Sequence, residues 1–322
     1  MTGKRVAVLL AAAALFLGGC GGDRSAERTG GQTAAGKRLS IATGNTTGVY
    51  YVLGGGLADQ IGKNIPGYQA TAEATGASVE NIQRVVRGDS DIAFTLADSA
   101  ADAVAGKGAF TSPQPIRAIA RLYDNSTQVV ATTAAGVRSV ADLRGKRVST
   151  GSPNSGTEVI ALRLLRAAGL DPDKDVTRQS LGLPESVQAV KDGDLDALIW
   201  SGGLPTPGIT DLLTSLKGEV AFVPLDGVLP AMQRDHGQVY AAGTIAKDVY
   251  ATPAGVPTIT VPNLLVVHER MDPVLAGDLA GLLFDRKAEL EKVHPAAKDI
   301  TRDNAPKTDP VPLHDGARKY YG

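Results

Sequence analysis

The feature that most constrains this chain is a pattern that occurs twice. A short apolar strand runs into a Thr-Gly loop that opens a helix, first at Ile41-Ala-Thr43-Gly44-Asn45-Thr46-Thr47-Gly48. It returns at Val148-Ser-Thr150-Gly151-Ser152-Pro-Asn154-Ser155-Gly156, with one extra residue in the second loop. Each loop is followed by a Ser-Val pair (Ser78-Val79, Ser186-Val187) and then by Gly-Asp-x-Asp (Gly88, Asp89, Asp91; Gly193, Asp194, Asp196). Gly44 to Gly88 spans 44 residues and Gly151 to Gly193 spans 42. Two motif types at nearly equal spacing imply two related units, and the 322 residues give room for two domains.

The apolar periodicity fills in the units. Strands are expected over 39–42, 69–74 and 92–96, with helices over 49–64 and 78–87 between them. The same alternation restarts with strands over 147–150, 176–181 and 195–200 and helices over 157–168 and 184–191. This is the βαβ grammar of an α/β fold with a doubly wound, mostly parallel sheet. Ligands in such folds sit outside the carboxyl ends of the strands, so a cleft between the units is the natural site.

Composition removes several classes of function. Lys and Arg number 33 against 34 Asp and Glu, with no basic run, which argues against a nucleic-acid partner. A 43% apolar content is too high for disorder. The single cysteine excludes a disulfide framework. That residue, Cys20, closes a leader in which Lys4 and Arg5 precede an apolar run over 6–17. The run is shorter than the roughly 20 residues a membrane span needs, so residues 1–19 read as a secretory signal. Leu17-Gly-Gly-Cys20 resembles the lipobox of bacterial lipoproteins, in which the thiol is lipidated and becomes the first residue. Residues 20–37 then form a polar, glycine-rich tether without apolar period. The working picture is a folded body outside the cytoplasm, lipid-anchored to the cell membrane.

The two Thr-Gly loops are the informative chemistry. Free N–H groups and the positive end of a helix dipole bind anions there without Lys or Arg. Thr43, Gly44, Asn45, Thr46, Thr47 and Gly48 offer hydroxyls, an amide and permissive backbone; Ser155, Gly156 and Thr157 do so in the second unit. The plainer reading is a pair of ordinary helix caps, and facing positions in both units favour ligand contact over it. No P-loop or Gly-x-Gly-x-x-Gly is present. Thr75, Gly76 and Ser78 form a third helix start. Of Tyr50 and Tyr51, one packs inward and the other is available to the cleft; Tyr50 is taken as a wall, as is Trp200, the only tryptophan. Gly54, Gly55 and Gly56 suggest a helix lying close on the sheet. The Gly-Asp-x-Asp pairs could hold a hard cation, but their place at equivalent joints favours helix ends and turn caps, and no metal or cofactor is expected. The four histidines lack metal spacing and no Gly-x-Ser-x-Gly elbow occurs, so no enzyme is expected.

With these residues in hand, the chain resembles the TAXI-type solute receptors of TRAP transport systems. The resemblance rests on residues 41–51 (IATGNTTGVYY), 73–81 (EATGASVEN), 88–94 (GDSDIAF) and 155–157 (SGT), and on 258–267 (TITVPNLLVV) and 313–321 (LHDGARKYY). It departs from the family at Asp315, where proline is usual. The resemblance implies a type II periplasmic-binding-protein fold, with two α/β lobes joined by two crossing strands and closing on a ligand cleft. It also implies a monomer that captures a small organic acid, such as glutamate or 2-oxoglutarate, for a permease driven by an ion gradient. A lipid anchor differs from freely diffusing periplasmic members and suits a bacterium without an outer membrane. Combining both lines, lobe 1 is expected over 38–128 plus 263–322 and lobe 2 over 129–262, with crossing strands at 128–132 and 263–267. The ligand carboxylate would rest on residues 43–48. The rival readings are a binding lipoprotein for an ABC importer or sensor, and an extracellular enzyme on the same fold.

Overall fold

A computed structural model describes residues 36–322 of the chain. The leader, the lipobox with Cys20 and most of the tether lie outside the described residues. Among the described residues no helix is long and apolar enough to cross a membrane.

Ten strands form one sheet: β1 (Lys37–Ala42), β2 (Tyr68–Glu73), β3 (Ile92–Leu96), β4 (Ile116–Thr132), β5 (Arg147–Ser149), β6 (Thr177–Gln179), β7 (Ala197–Gly202), β8 (Val220–Phe222), β9 (Ala241–Ile245) and β10 (Val256–His268). Their order is β2-β1-β3-β10-β4-β7-β5-β6, with β8 beside β4 and β9 beside β10. The repeat is visible in this order. In one wing β1 lies between β2 and β3, all parallel; in the other β5 lies between β6 and β7, all parallel. Each wing therefore has its first strand in the middle and its third strand toward the sheet centre. The helices that follow are α1 (Val49–Asn64), α2 (Ser78–Arg87), α3 (Ala97–Ala105), α4 (Gly156–Ala167) and α5 (Leu183–Lys191).

The wings are joined by two long antiparallel strands. β4 pairs with β10 up to Ser126 and with β7 from Ser126 to Ala131. β10 pairs with β9 over Val256–Thr260 positions and with β3 from Asn263 to Val267. The expected segments 128–132 and 263–267 are thus one end of each strand. β4 begins at Ile116, well before residue 128, where the sequence placed the start of the crossing strand. The charges of this first half are neutralised at the sheet surface: Arg117 pairs with Glu269 and Arg121 with Asp124, each at 2.8 Å.

The Gly-Asp-x-Asp joints have matching structural roles. Gly88 and Gly193 close α2 and the turn after α5 with φ of 79° and 78°, a left-handed conformation that glycine adopts without steric cost. Asp91 Oδ2 accepts the Ser40 N–H and Asp196 Oδ2 the Arg147 N–H, each at 2.8 Å. Both carboxylates thereby fasten the start of a wing's third strand to its first strand.

Helix α1 runs over the expected residues. Its glycine run does not act as a unit. A Cβ on Gly54 would overlap Thr43 on the sheet, one on Gly56 would press on Val293, and Gly55 faces open space. Close approach to the sheet is the role of Gly54 alone. Behind it Leu53, Leu57 and Ile61 pack with Ile41 and Phe94, and the same apolar cluster continues into Val148, Ile160 and Leu164 of the second wing.

Candidate functional site

Helices α1, α2 and α4 follow the carboxyl ends of β1, β2 and β5, and their first residues help line a cavity of about 20 Å³. That is room for about one water molecule. Its lining includes ten residues expected from the sequence: Gly44, Asn45, Gly48, Tyr50, Gly76, Ser78, Ser155, Gly156, Thr157 and Trp200. Residues from both Thr-Gly loops therefore share one space, although they lie more than 100 positions apart.

Four of the expected residues lie elsewhere. Thr43 is fully buried, with its hydroxyl donating to the Glu73 carbonyl at 2.5 Å, so it serves the sheet edge. Thr46 is exposed at the loop tip. Thr47 turns toward the second wing, where its carbonyl accepts the Gly208 N–H at 3.4 Å. Thr75 donates to Asn81 Oδ1 at 2.6 Å and accepts the Ala77 N–H, holding the turn into α2. A Thr-rich loop cannot aim every hydroxyl one way; here Gly44, Asn45 and Gly48 line the cavity, while Thr43 holds nearby backbone and Thr47 Oγ1 is buried without a partner.

The lining also contains residues that sequence reasoning missed, chiefly Tyr123, Asn125 and the Ser201-Gly202-Gly203 corner. Tyr123 and Asn125 belong to the overlooked half of β4. Ser201 and its glycines follow Trp200 directly, and the loop after a strand's carboxyl end was the available signal for them.

Adjacent helical residues point about 100° apart, and this separates the two tyrosines. Tyr51 is 36% exposed on the outer face, whereas Tyr50 is buried and lines the cavity. The inward-packing tyrosine is therefore also the one at the cleft. Its ring lies 5.2 Å from that of Phe94, and its hydroxyl donates to Asn263 Oδ1. Asn263 in turn donates to the Tyr123 carbonyl at 3.0 Å and to Asn125 Oδ1 at 2.8 Å, so one buried amide of β10 positions three wall residues. Burial pushes the Tyr50 and Tyr123 hydroxyls well above the ordinary tyrosine range, keeping both neutral.

Electrostatically the cavity is unusual for what it lacks: none of its lining residues is Lys, Arg, His, Asp or Glu. Its polarity comes from the backbone and from neutral side chains. The N-caps of α1 and α2 are Gly48 and Ala77, neither with a side-chain cap, and Ser155 of α4 accepts only the Glu158 N–H. The starts of all three helices line this one space, each carrying roughly half a positive charge, although the Glu80 N–H of α2 is taken by the Asn154 carbonyl at 3.0 Å. Three further polar atoms of lining residues are buried without a partner: the indole N–H donor of Trp200 and the hydroxyls of Tyr123 and Ser201, which can donate or accept.

A larger groove of about 820 Å³ lies alongside, between α3, α4 and the helix Leu229–His236. Its wall holds a buried ionic cluster. Asp98 Oδ2 accepts from the Tyr240 hydroxyl at 2.6 Å, and Arg163 reaches Asp98 at 3.4 Å and Asp102 at 2.5 Å.

A model of the NMT1-like family matches residues 41–322. The chain belongs to the NMT1-like family. Solved structures place this NMT1-like chain in a wider fold group. The binding-protein component of an ABC phosphonate transporter from Pseudomonas aeruginosa is 15% identical, with a TM-score of 0.54 over 82% of this chain and 80% of that one. A Xanthomonas citri protein solved with ATP is 13% identical, with a TM-score of 0.51 over 88% and 94%. The periplasmic aliphatic sulphonate binding protein of Escherichia coli is 15% identical, with a TM-score of 0.49 over 88% and 82%. At these identities the likeness is one of fold: the NMT1-like chain has the mixed α/β fold of periplasmic binding proteins, a central sheet flanked by helices.

Proposed function

We propose that this protein is an extracytoplasmic solute receptor that captures a small organic acid by lobe closure and delivers it to a TRAP-type secondary permease, as the TAXI-type resemblance implies. The observation that carries the reading is the convergence of three helix starts, from both wings, on one cavity without a charged side chain. Helices α1 and α2 belong to the unit over 38–128 plus 263–322, and α4 and Trp200 to the unit over 129–262. An acid touching both units stabilises the closed arrangement by its extra affinity for it. A cavity this small admits a multi-carbon solute only when its walls separate, so binding and closure are one event. Membrane attachment through Cys20 and action as a monomer complete the reading.

Isothermal titration with 2-oxoglutarate and glutamate tests the site. At least one is expected to bind, and Trp200→Ala is expected to weaken it at least tenfold; unchanged affinity in that variant removes the cavity from the reading. For the permease, uptake by vesicles carrying the cognate transporter should collapse with the ion gradient and persist without ATP. The reverse pattern would assign the receptor to an ABC importer.

A further inference from the structure

One histidine joins the two sides of the cavity from behind its wall. His294 follows the helix Lys287–Val293, which packs on α1 of the first wing. The imidazole is 6% exposed, and both of its nitrogens are engaged. Nδ1 accepts the Ala296 N–H at 3.1 Å, so the ring proton sits on Nε2. Nε2 therefore donates to the Pro205 carbonyl, 3.0 Å away. Burial lowers the His294 pKa from its ordinary value, which keeps the ring neutral near pH 7 and preserves Nδ1 as an acceptor.

Pro205 belongs to the other side. It follows β7 in the corner Gly202-Gly203-Leu204-Pro205-Thr206, whose two glycines line the cavity beside Trp200. Within its own wing the corner is braced by Thr206. The Thr206 N–H donates to Tyr250 Oη at 2.7 Å; the Thr206 hydroxyl donates to the Gly203 carbonyl at 2.7 Å and accepts from Gln128 at 3.1 Å. Toward the first wing the fit is close: a Cβ on Gly203 would lie 2.9 Å from the Tyr123 ring and 3.2 Å from Val49. Packing limits how near the corner comes, and directional bonds hold it in register. One such bond runs from the Gly208 N–H to the Thr47 carbonyl, long at 3.4 Å. The His294 bond is shorter, and its donor is a buried, rigid ring.

We infer that His294 is a positioning residue for the cavity: its Nε2–H clasps the corner from the opposite side and so holds Trp200, Ser201 and the two glycines in place as a wall. His294 lies outside the cavity lining and acts only through Pro205. The bond runs between the two sides, so parting them breaks it. In the proposed receptor the clasp therefore favours the closed arrangement and adds to ligand affinity.

Two amide substitutions separate the clasp from the turn cap on Ala296, because each keeps one of the two ring positions. His294→Asn retains an acceptor near the Nδ1 position and is too short to reach Pro205. His294→Gln retains an N–H donor near the Nε2 position and gives up the cap. Acrylamide quenching of Trp200, the only tryptophan, reads the corner in the full chain without any ligand. The expected result is a quenching constant at least twofold higher in His294→Asn and a wild-type value in His294→Gln. A wild-type value in His294→Asn, or the same rise in both, overturns the inference. Should His294→Asn not fold, NMR of wild-type protein carrying labelled histidine decides. An Nε2–H tautomer of His294 with a slowly exchanging proton near pH 7 upholds the clasp, and an Nδ1–H tautomer or an imidazolium overturns it. The contribution to affinity rests on the receptor reading and has its own arm, titration with 2-oxoglutarate and glutamate. Binding should be at least fivefold weaker in His294→Asn and within twofold of wild type in His294→Gln; undiminished affinity in His294→Asn overturns that contribution. Failure of the wild type to bind either acid overturns the receptor reading, and the Trp200 result then decides the clasp by itself.

Discussion

How closely the two wings approach at the cavity depends on side-chain atoms that glycine lacks. A Cβ built on Gly156, the first residue of α4, would lie 2.5 Å from Ser78 Oγ and 2.6 Å from Leu96 Cδ1, both across the cavity in the other wing. Gly48 is similar and milder: its Cβ would lie 3.2 Å from Trp200 Cζ2. Gly156→Ala should therefore act as a wedge. Alanine is the better helix former by up to about 1 kcal/mol in a helix interior, so α4 itself is not endangered and the cost falls on closure. The expected outcome is at least a tenfold loss of ligand affinity, read by titration, with native helix content in circular dichroism. Wild-type affinity would show that the two wings need not approach this closely to hold a ligand. This constraint was only half legible in the sequence, because Gly156 stood out as permissive backbone in a polar loop whereas its neighbours Ser78 and Leu96 come from a distant segment. The threonines of the strand-to-helix loops show the converse. Their hydroxyls were conspicuous, but sheet-edge and loop hydrogen bonds to nearby backbone claim Thr43 and Thr75 before any ligand could.

Among the elements, the repeat was the most readable feature and it organises the sheet. Each wing is stapled by its last aspartate, but the two staples differ in charge. Asp91 holds the Ser40 N–H, whereas Asp196 holds the Arg147 N–H and also its guanidinium, with Nη2 at 2.7 Å. The guanidinium hydrogen bond holds the Asp196 carboxyl below its usual range. An acid with a depressed folded-state pKa stabilises the fold above its unfolded value, near 3.9, and loses that contribution as the pH falls through the folded value. The pair is partly exposed, so solvent screening limits the effect to about 1 kcal/mol. Asp196→Asn should cost that much at pH 7 and progressively less below pH 4, measured by urea unfolding across pH; an equal deficit at all pH values would assign the role to shape rather than charge. Ser155→Ala should likewise cost about 1 kcal/mol through the lost cap on Glu158. Local pattern was sufficient for α1, α2 and β3, whose bounds match the expected ones. It failed for the first half of β4, because Arg117, Arg121 and Asp124 interrupt the apolar alternation; Arg121 and Asp124 pair with each other, and Arg117 with the distant Glu269. Tyr123 and Asn125 were lost with that strand, and with them part of the cavity.

At the scale of the whole molecule, the helices of the two wings meet again away from the cavity, through the ionic cluster at the groove. Asp98 and Asp102 sit on α3, which follows β3 of the first wing; Arg163 sits on α4 of the second wing and Tyr240 just before β9. Asp98 is fully shielded, and burial raises its pKa from the ordinary value even though Arg163 and the Tyr240 hydroxyl favour its charged form. A buried pair of this kind contributes little net stability relative to an apolar pair, yet removing one partner costs about 3–5 kcal/mol by leaving the other charge stranded. Arg163→Leu should show that loss in urea unfolding at pH 7. The sign of its pH dependence is specific. An acid whose folded-state pKa is raised favours the folded state most when protonated, so its penalty grows as the pH rises from the unfolded value, near 3.9, through the raised one. The Arg163→Leu deficit should therefore be smaller near pH 4 than at pH 7. Adding Asp98→Asn to that variant should recover much of the stability at pH 7, because the stranded charge is gone. A deficit that neither acid nor the second substitution reduces would mean that Arg163 contributes through the packing of its aliphatic stem. Because this cluster joins helices of the same two wings that line the cavity, Arg163→Leu should also weaken ligand binding if the proposed receptor closes these wings on its ligand.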